Sequence, residues 1–346
     1  MTMFSRLFSI LLLVSMLVAC SRPVEPQTLR GEIFGTFFEV TLGTAHEDVD
    51  LAQLEQGIMT TLNEVDRQMS TYRDDSVLNQ LNNAPLHQPV PVNDELFYVL
   101  QRSEAIASRS QGRFDHTVGG LVNLWGFGRD GRVTSAPDED EIEQRLEEVG
   151  YHFLILDENE QSAMRTSDIF IELSGIAKGY GVDAVSAYLT EQGIDNHLVN
   201  IGGDIYAKGT RSEETRWRVG IEAPTEGRQV VQHILPIEDI ALVGSGDYRN
   251  YFEENGVRYS HTIDPTTGLP ISHKLAAVTV LADNATDADG YATALLVMGT
   301  ERGLAFANQH DIAALFITRG DEGFISHMSQ RFEQDHQADM RVPTVQ

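Results

Sequence analysis

Between His152 and Thr318, short runs rich in β-branched and aromatic residues follow one another with only two helical stretches among them. The runs are HFLILD, DIFIEL, HLVNIGGDIYAKG, WRVGIEAP, IALVGSGDY, NYFEENGVRYSHTID, LAAVTVLA and IAALFIT. This distribution limits the fold more than any other feature. A parallel, doubly wound sheet needs strands that alternate strictly with helices, and these do not, so the chain reads as α+β. Asn255-Gly256 between two aromatic runs marks a hairpin. The two helical stretches begin at SGIAKGYGVD and TDADGYATALLVMG.

The first half is more helical. Leu51, Leu54, Ile58, Leu62, Val65 and Met69 recur at helical spacing, which predicts an amphipathic helix over residues 48–70. A second is expected over 94–111, with Gly112 just past its end, and a third from Ser135, as N-cap, to Val149. Gly31–Thr44 reads as one strand around a central glycine, and Ser70–Asn83 as a loop or short helix.

The N-terminus is of a different kind. Arg6 precedes an apolar run from Leu7 to Ala19, too short to span a bilayer comfortably and ending in small residues before Cys20. LVAC at Leu17–Cys20 resembles a bacterial lipobox, which implies a signal peptide over 1–19 and lipid attachment to Cys20. Cys20 is the only cysteine, so none is left for a disulfide in an oxidising compartment. Residues 20–30, with Pro23 and Pro26, then read as a lipidated tether, 31–335 as the folded domain and 336–346 as a tail.

A formal charge of −27 argues against nucleic acid and against docking on anionic lipid through basic residues. An anionic ligand would need a metal ion or local donors at its site. Four segments next to strand ends offer such donors. ELSGIAKGYGVD leaves a strand and enters a helix, which suits either phosphate, with Lys178 in the first turn, or close packing alone. It has neither the Walker order nor the dinucleotide fingerprint. NIGGDI sets two glycines inside a strand pattern, a bulge or a close approach to a ligand. In GSGDYRNYF, Arg249 either clamps a phosphate or pairs with a nearby carboxylate. In DNATDADGYATALLVMG, Asp289 and Thr293 share one helix face. They are hard oxygen ligands suited to Mg²⁺, or else belong to a helix start with Thr286 as N-cap.

In this order, GTFFEV, MSTYRDDSVLNQLN, FDHTVGGLVNLWGFG, SGIAKGYGVD, NIGGDI, SGDYRNYF, HTIDPTTGLP and DADGYATALLVMG resemble the ApbE-type flavin transferases, the FAD:protein FMN transferases. The resemblance implies a single T-fold-like α+β domain of two halves with an FAD cleft between them. It implies Mg-dependent transfer of FMN from FAD to a threonine of a partner flavoprotein, through a phosphoester bond, with release of AMP. Carried over by position, Phe34, Tyr72, Arg113, Phe114, Asp115, Glu172, Lys178 and Ile263 fall at FAD-contacting places. Gly175, by its backbone carbonyl, Asp289 and Thr293 fall at the Mg²⁺ site. Ala292 stands where the family often has an aspartate.

The resemblance also implies a periplasmic protein anchored through Cys20, with Ser21 leaning toward the outer membrane. Its acceptors would be membrane subunits of a sodium-pumping NADH:quinone reductase or the related electron-transport complex. Attack of a hydroxyl on phosphorus needs positioning, charge neutralisation and a proton acceptor, and His261 is the candidate base. Two alternatives keep the same residues: an FAD pyrophosphatase, with water as acceptor, and a lipid-anchored flavin carrier without turnover.

Overall fold

Eight strands of the chain form one sheet whose spatial order is also their order in sequence. They are β1 (Gln27–Ile33), β2 (Thr36–Leu42), β3 (His197–Ile201), β4 (Asp204–Lys208), β5 (Ile240–Gly246), β6 (Leu275–Ala282), β7 (Ala313–Gly320) and β8 (Gly323–Met328). Every neighbouring pair is antiparallel. This computed structural model describes residues 27–43, 49–133, 135–212, 215–225, 230–247, 250–321 and 323–342. The expected signal peptide, Cys20, Tyr248 and Arg249 lie outside the described residues.

The architecture is mixed helix and sheet, as the strand pattern predicts, in a single domain, as the resemblance implies. Its long excursions from the sheet carry the helices: α1 (Leu51–Met69), α2 (Asp94–Arg109), α3 (Ala177–Glu191) and α4 (Ala285–Gln309). The Asp50 carboxylate starts α1 by accepting the Ala52 and Gln53 N–H groups. Leu54, Ile58, Leu62, Val65 and Met69 then face the main core with Phe38, Val40 and Leu42 of β2. After α2, Gln111 and Gly112 both take positive φ, and the Gly112 N–H reaches back to the Ala107 carbonyl at 2.8 Å. The opposite sheet face is covered by a hairpin, Trp217–Ala223 with Val230–Ile237, and the short helix Gln330–His336.

Several elements differ from the sequence reading for identifiable reasons. The stretch read as one strand is a hairpin, Gln27–Ile33 with Thr36–Leu42, turned at Phe34 (φ 53°) and Gly35 (φ 71°), with Ile33 opposite Thr36. NIGGDI is likewise a hairpin turn, Gly202 (φ 61°) and Gly203 (φ 105°), with no bulge. Two residues of positive φ close a tight hairpin, and glycine allows it most readily. DIFIEL forms no strand beyond a single bridge of Phe170 to Val118. The Asn82 side chain replaces a ladder there, bonding both the Ile171 N–H and its carbonyl.

The third helix shrinks to Glu139–Leu146, because Pro137 stops it and Asp138 with Glu141 builds the cap instead of Ser135. Asn284, not Thr286, caps α4, and α4 itself breaks at Gly299 (φ 74°). The first strand takes in Gln27–Arg30, assigned above to the tether, and Arg341 of the expected tail pairs with Ile234.

Candidate active site

A cavity of about 760 Å³ opens where the β3–β4 turn, the start of α3, the first turns of α4 and residues 113–122 and 261–265 converge. Ten residues singled out from the sequence line it: Arg113, Phe114, Asp115, Glu172, Gly175, Lys178, His261, Ile263, Asp289 and Thr293.

Its floor exists because two helix starts cross closely. Gly179 in the first turn of α3 lies so near α4 that a Cβ there would stand 2.2 Å from the Ala285 carbonyl oxygen. The Gly179 N–H donates to Asp289 Oδ2 at 3.0 Å, and the Thr293 hydroxyl donates to the Gly175 carbonyl at 3.3 Å. Asp183 on α3 reinforces the crossing. Its carboxylate accepts the Ala285 N–H at 2.7 Å, the Thr286 N–H at 2.8 Å and the Thr286 hydroxyl.

Asp289 is buried, and its carboxyl is pushed up to about 7. Burial is the main cause; Lys178 and the Gly179 N–H oppose it, while the Asp204 and Asp183 carboxylates add to it. Lys178 is bonded to buried Asp204. Burial works against the ammonium, yet Asp204 and Asp289 together hold its pKa above the ordinary value. A carboxylate, a hydroxyl and a carbonyl thus meet beside a lysine already engaged elsewhere. Among the described residues no three His, Cys, Asp or Glu side chains form a metal cage. Asp289, Thr293 and the Gly175 carbonyl form a partial set of hard oxygens, which suits Mg²⁺ since that ion keeps waters and takes substrate phosphates.

His261 sits on the loop after the Tyr251–Ser260 hairpin. Its Nδ1 is 3.0 Å from the Asn250 carbonyl, which can only accept, so Nδ1 carries the hydrogen and Nε2 is the basic nitrogen. Burial, assisted by Lys178, lowers its pKa, against the pull of the Asn250 carbonyl and Asp247. The shift favours the neutral ring, and Phe127 approaches it edge-on at 6.3 Å.

Other residues are held by the protein itself. The Arg113 guanidinium pairs with Asp264 at 2.5 Å, and Asp264 Oδ1 accepts from Thr266 to set the turn. Asp115 accepts from the Thr117 N–H and hydroxyl and from the Tyr151 N–H, so both its oxygens brace the wall. Glu172 accepts from the Ser174 N–H and hydroxyl, and burial raises its pKa. Phe34 and Tyr72 do not line the cavity. Phe34 rests against Gly181 of α3, and Tyr72 is 68% exposed, its phenol raised first by burial and then by the Glu172 charge. Sequence reasoning missed Asp204 as the partner of Lys178 and Asp183 as the tie between helices. Both lay inside quoted motifs, but no spacing rule pairs them.

The ApbE family model matches residues 34–316. The chain belongs to the ApbE family. The FAD:protein FMN transferase of Vibrio cholerae is 41% identical over 318 residues, covering 92% of this chain and 95% of the relative. That of Haemophilus influenzae is 36% identical over 324 residues, covering 92% and 94%. Among solved structures, the flavin transferase ApbE from V. cholerae superposes with a TM-score of 0.83 at 39% identity, covering 90% of this chain and 99% of that one. The apo flavinyl transferase ApbE of Pseudomonas stutzeri gives 0.82 at 34% identity, covering 90% and 96%. The fold of this chain is therefore the ApbE fold.

Proposed function

We propose that this protein is an FAD:protein FMN transferase that moves FMN from FAD onto a threonine hydroxyl of a partner protein. One observation carries the reading. In a member of this family, ten residues of the expected site line one cavity, and buried Asp289 lies there beside Thr293 and the Gly175 carbonyl. Bound Mg²⁺ would neutralise the diphosphate and polarise the phosphoryl oxygens under attack. Asp289, Thr293 and the Gly175 carbonyl are the residues that would hold it. The N–H groups at the start of α3 add positive potential on the same side.

The threonine oxygen bonds to the FMN phosphorus while the bond from that phosphorus to the AMP oxygen breaks. His261 Nε2 takes the hydroxyl proton, and AMP leaves with the electron pair. The neutral ring and the fixed tautomer of His261 support this role. The acceptors we propose are membrane subunits of a sodium-pumping NADH:quinone reductase or a related electron-transport complex. The apolar N-terminal run and the sole cysteine support a periplasmic enzyme lipid-anchored through Cys20; loss of the membrane-bound fraction in Cys20→Ser tests that anchor.

The decisive experiment incubates the protein with FAD and Mg²⁺, with and without a peptide bearing the acceptor threonine. FMN covalently on the peptide is the expected product. Free FMN and AMP in equal yield with and without peptide would make it a pyrophosphatase. Unchanged FAD, with binding intact, would make it a carrier.

A further inference from the structure

Among the described residues, three lysine or arginine side chains line the cavity, and two of them are already neutralised: Arg113 by Asp264 and Lys178 by Asp204. The third, Arg218, makes no side-chain ion pair or hydrogen bond with any described residue. In a chain with 52 acidic and 25 basic residues, arginines are readily claimed by carboxylates, and a free one in the binding cavity is unusual.

Its strand explains both its freedom and its aim. Trp217, Val219 and Ile221 alternate into the second core, which fixes the backbone and sends Arg218 to the opposite, exposed side. The Trp217 indole N–H also anchors the strand end to the Lys208 carbonyl at 3.1 Å. Gly220, next on the same side, also lines the cavity, with the Val231 side chain packed over its Cα. The cavity therefore passes from Asp289 and Lys178, on the helical face of the sheet, past the Gly202-Gly203 turn to Arg218 on the hairpin face.

Resting on the FAD reading, we infer that Arg218 is a binding residue for the phosphate-bearing part of FAD, reached from the side opposite Asp289. A guanidinium not engaged by a carboxylate adds positive charge beside the Mg²⁺ proposed above, and it can engage phosphate oxygens in a two-pronged way. Arg218 touches no reacting bond in this assignment; it captures and orients the donor.

The test measures binding to the intact chain, in Mg²⁺, of FAD, ADP and riboflavin by calorimetry or flavin fluorescence. Wild type, Arg218→Ala and Arg218→Lys are compared at low and high salt. Arg218→Ala should weaken FAD and ADP by about 10-fold, the scale of one charge-assisted contact, and leave riboflavin unchanged. Arg218→Lys should recover part of the loss, and the salt dependence of FAD binding should flatten in Arg218→Ala. Unchanged FAD and ADP affinity, or equal weakening of riboflavin, overturns the assignment; so does an effect confined to the KM for the acceptor. A wild-type protein that binds FAD but transfers no FMN would sink the proposed function and leave the Arg218 comparison readable.

Discussion

Replacing Gly179 by alanine should disable the site by moving it, without touching a ligand. The added Cβ would stand 2.2 Å from the Ala285 carbonyl oxygen, 2.7 Å from its carbon and 2.8 Å from the Asp289 Cβ. Ordinary carbon–oxygen contacts begin near about 3.3 Å, so the two helix starts must part by about 1 Å. The clashing atoms are mostly backbone and cannot rotate away. Overpacking of this kind costs about 2–3 kcal/mol, and for a domain of this size that lowers the melting point by about 5 °C. The separation also stretches the 3.0 Å bond from the Gly179 N–H to Asp289 and displaces the carboxylate relative to Thr293.

A misplacement of about 1 Å at a reacting centre costs about 100-fold in rate. Thermal melting followed by single-turnover FMN transfer, well below the variant's midpoint, separates the two effects. Gly120→Ala is the control, since its Cβ would meet nothing nearer than Arg145 Cδ at 3.8 Å. It should keep full activity. A Gly179→Ala protein with wild-type melting and transfer within about twofold would refute the claim that this glycine sets the spacing.

Asp289→Ala should abolish the dependence of transfer on Mg²⁺ together with the transfer, while FAD still binds weakly; full activity in chelator would contradict the metal assignment. Lys178→Met leaves Asp204 buried without its cation, and because Lys178 is a third exposed the loss should sit near about 3 kcal/mol, read from urea unfolding. His261→Ala should lower the maximal transfer rate by about 10²–10³-fold at unchanged FAD affinity, whereas an unaltered rate removes the base role. If His261 is the base as proposed, its burial-lowered pKa should put the acid limb of the wild-type rate profile below pH 6.5. His197, buried between Ser186 and the Ile194 carbonyl, has its pKa lowered to about 4. Its unfolded form therefore binds a proton first, so stability should be full above pH 6.5 and decline from there toward pH 4, a slope that His197→Gln should reduce.

The legible part of this fold was its periodicity. Leu54, Ile58, Leu62 and Val65 announced α1, and Asn255-Gly256 its hairpin, because helix faces and tight turns are written in adjacent residues. What the pattern hid were elements defined by partners far away. DIFIEL has the composition of a strand, yet the Asn82 side chain, 89 residues earlier, satisfies Ile171, while residues 116, 119 and 165 take up its neighbours. Val230–Ile237 and Gly323–Met328 carry no pattern of their own that marks them, and they become strands through the neighbours they pair with.

The site shows the same division, and it bears on how the metal position is built. Asp289 and Thr293 are neighbours on one helix face, so their pairing could be read from spacing. The Gly175 carbonyl, Asp183 and Asp204 come from other segments and needed the fold. In this chain Ala292 is fully buried, so the helix turn between Asp289 and Thr293 supplies no second carboxylate. The negative charge near Asp289 comes instead from Asp183, committed to the α4 N-terminus, and from Asp204, committed to Lys178. With one uncommitted carboxylate, the proposed site would hold a cation weakly until substrate oxygens complete the shell. Mg²⁺ affinity measured alone should therefore be much weaker than in the presence of FAD or ADP, and by reciprocity Mg²⁺ should tighten ADP by the same factor. Calorimetric titration of each in the presence and absence of the other checks this, and equal Mg²⁺ affinity in both would mean that the protein alone builds the whole site.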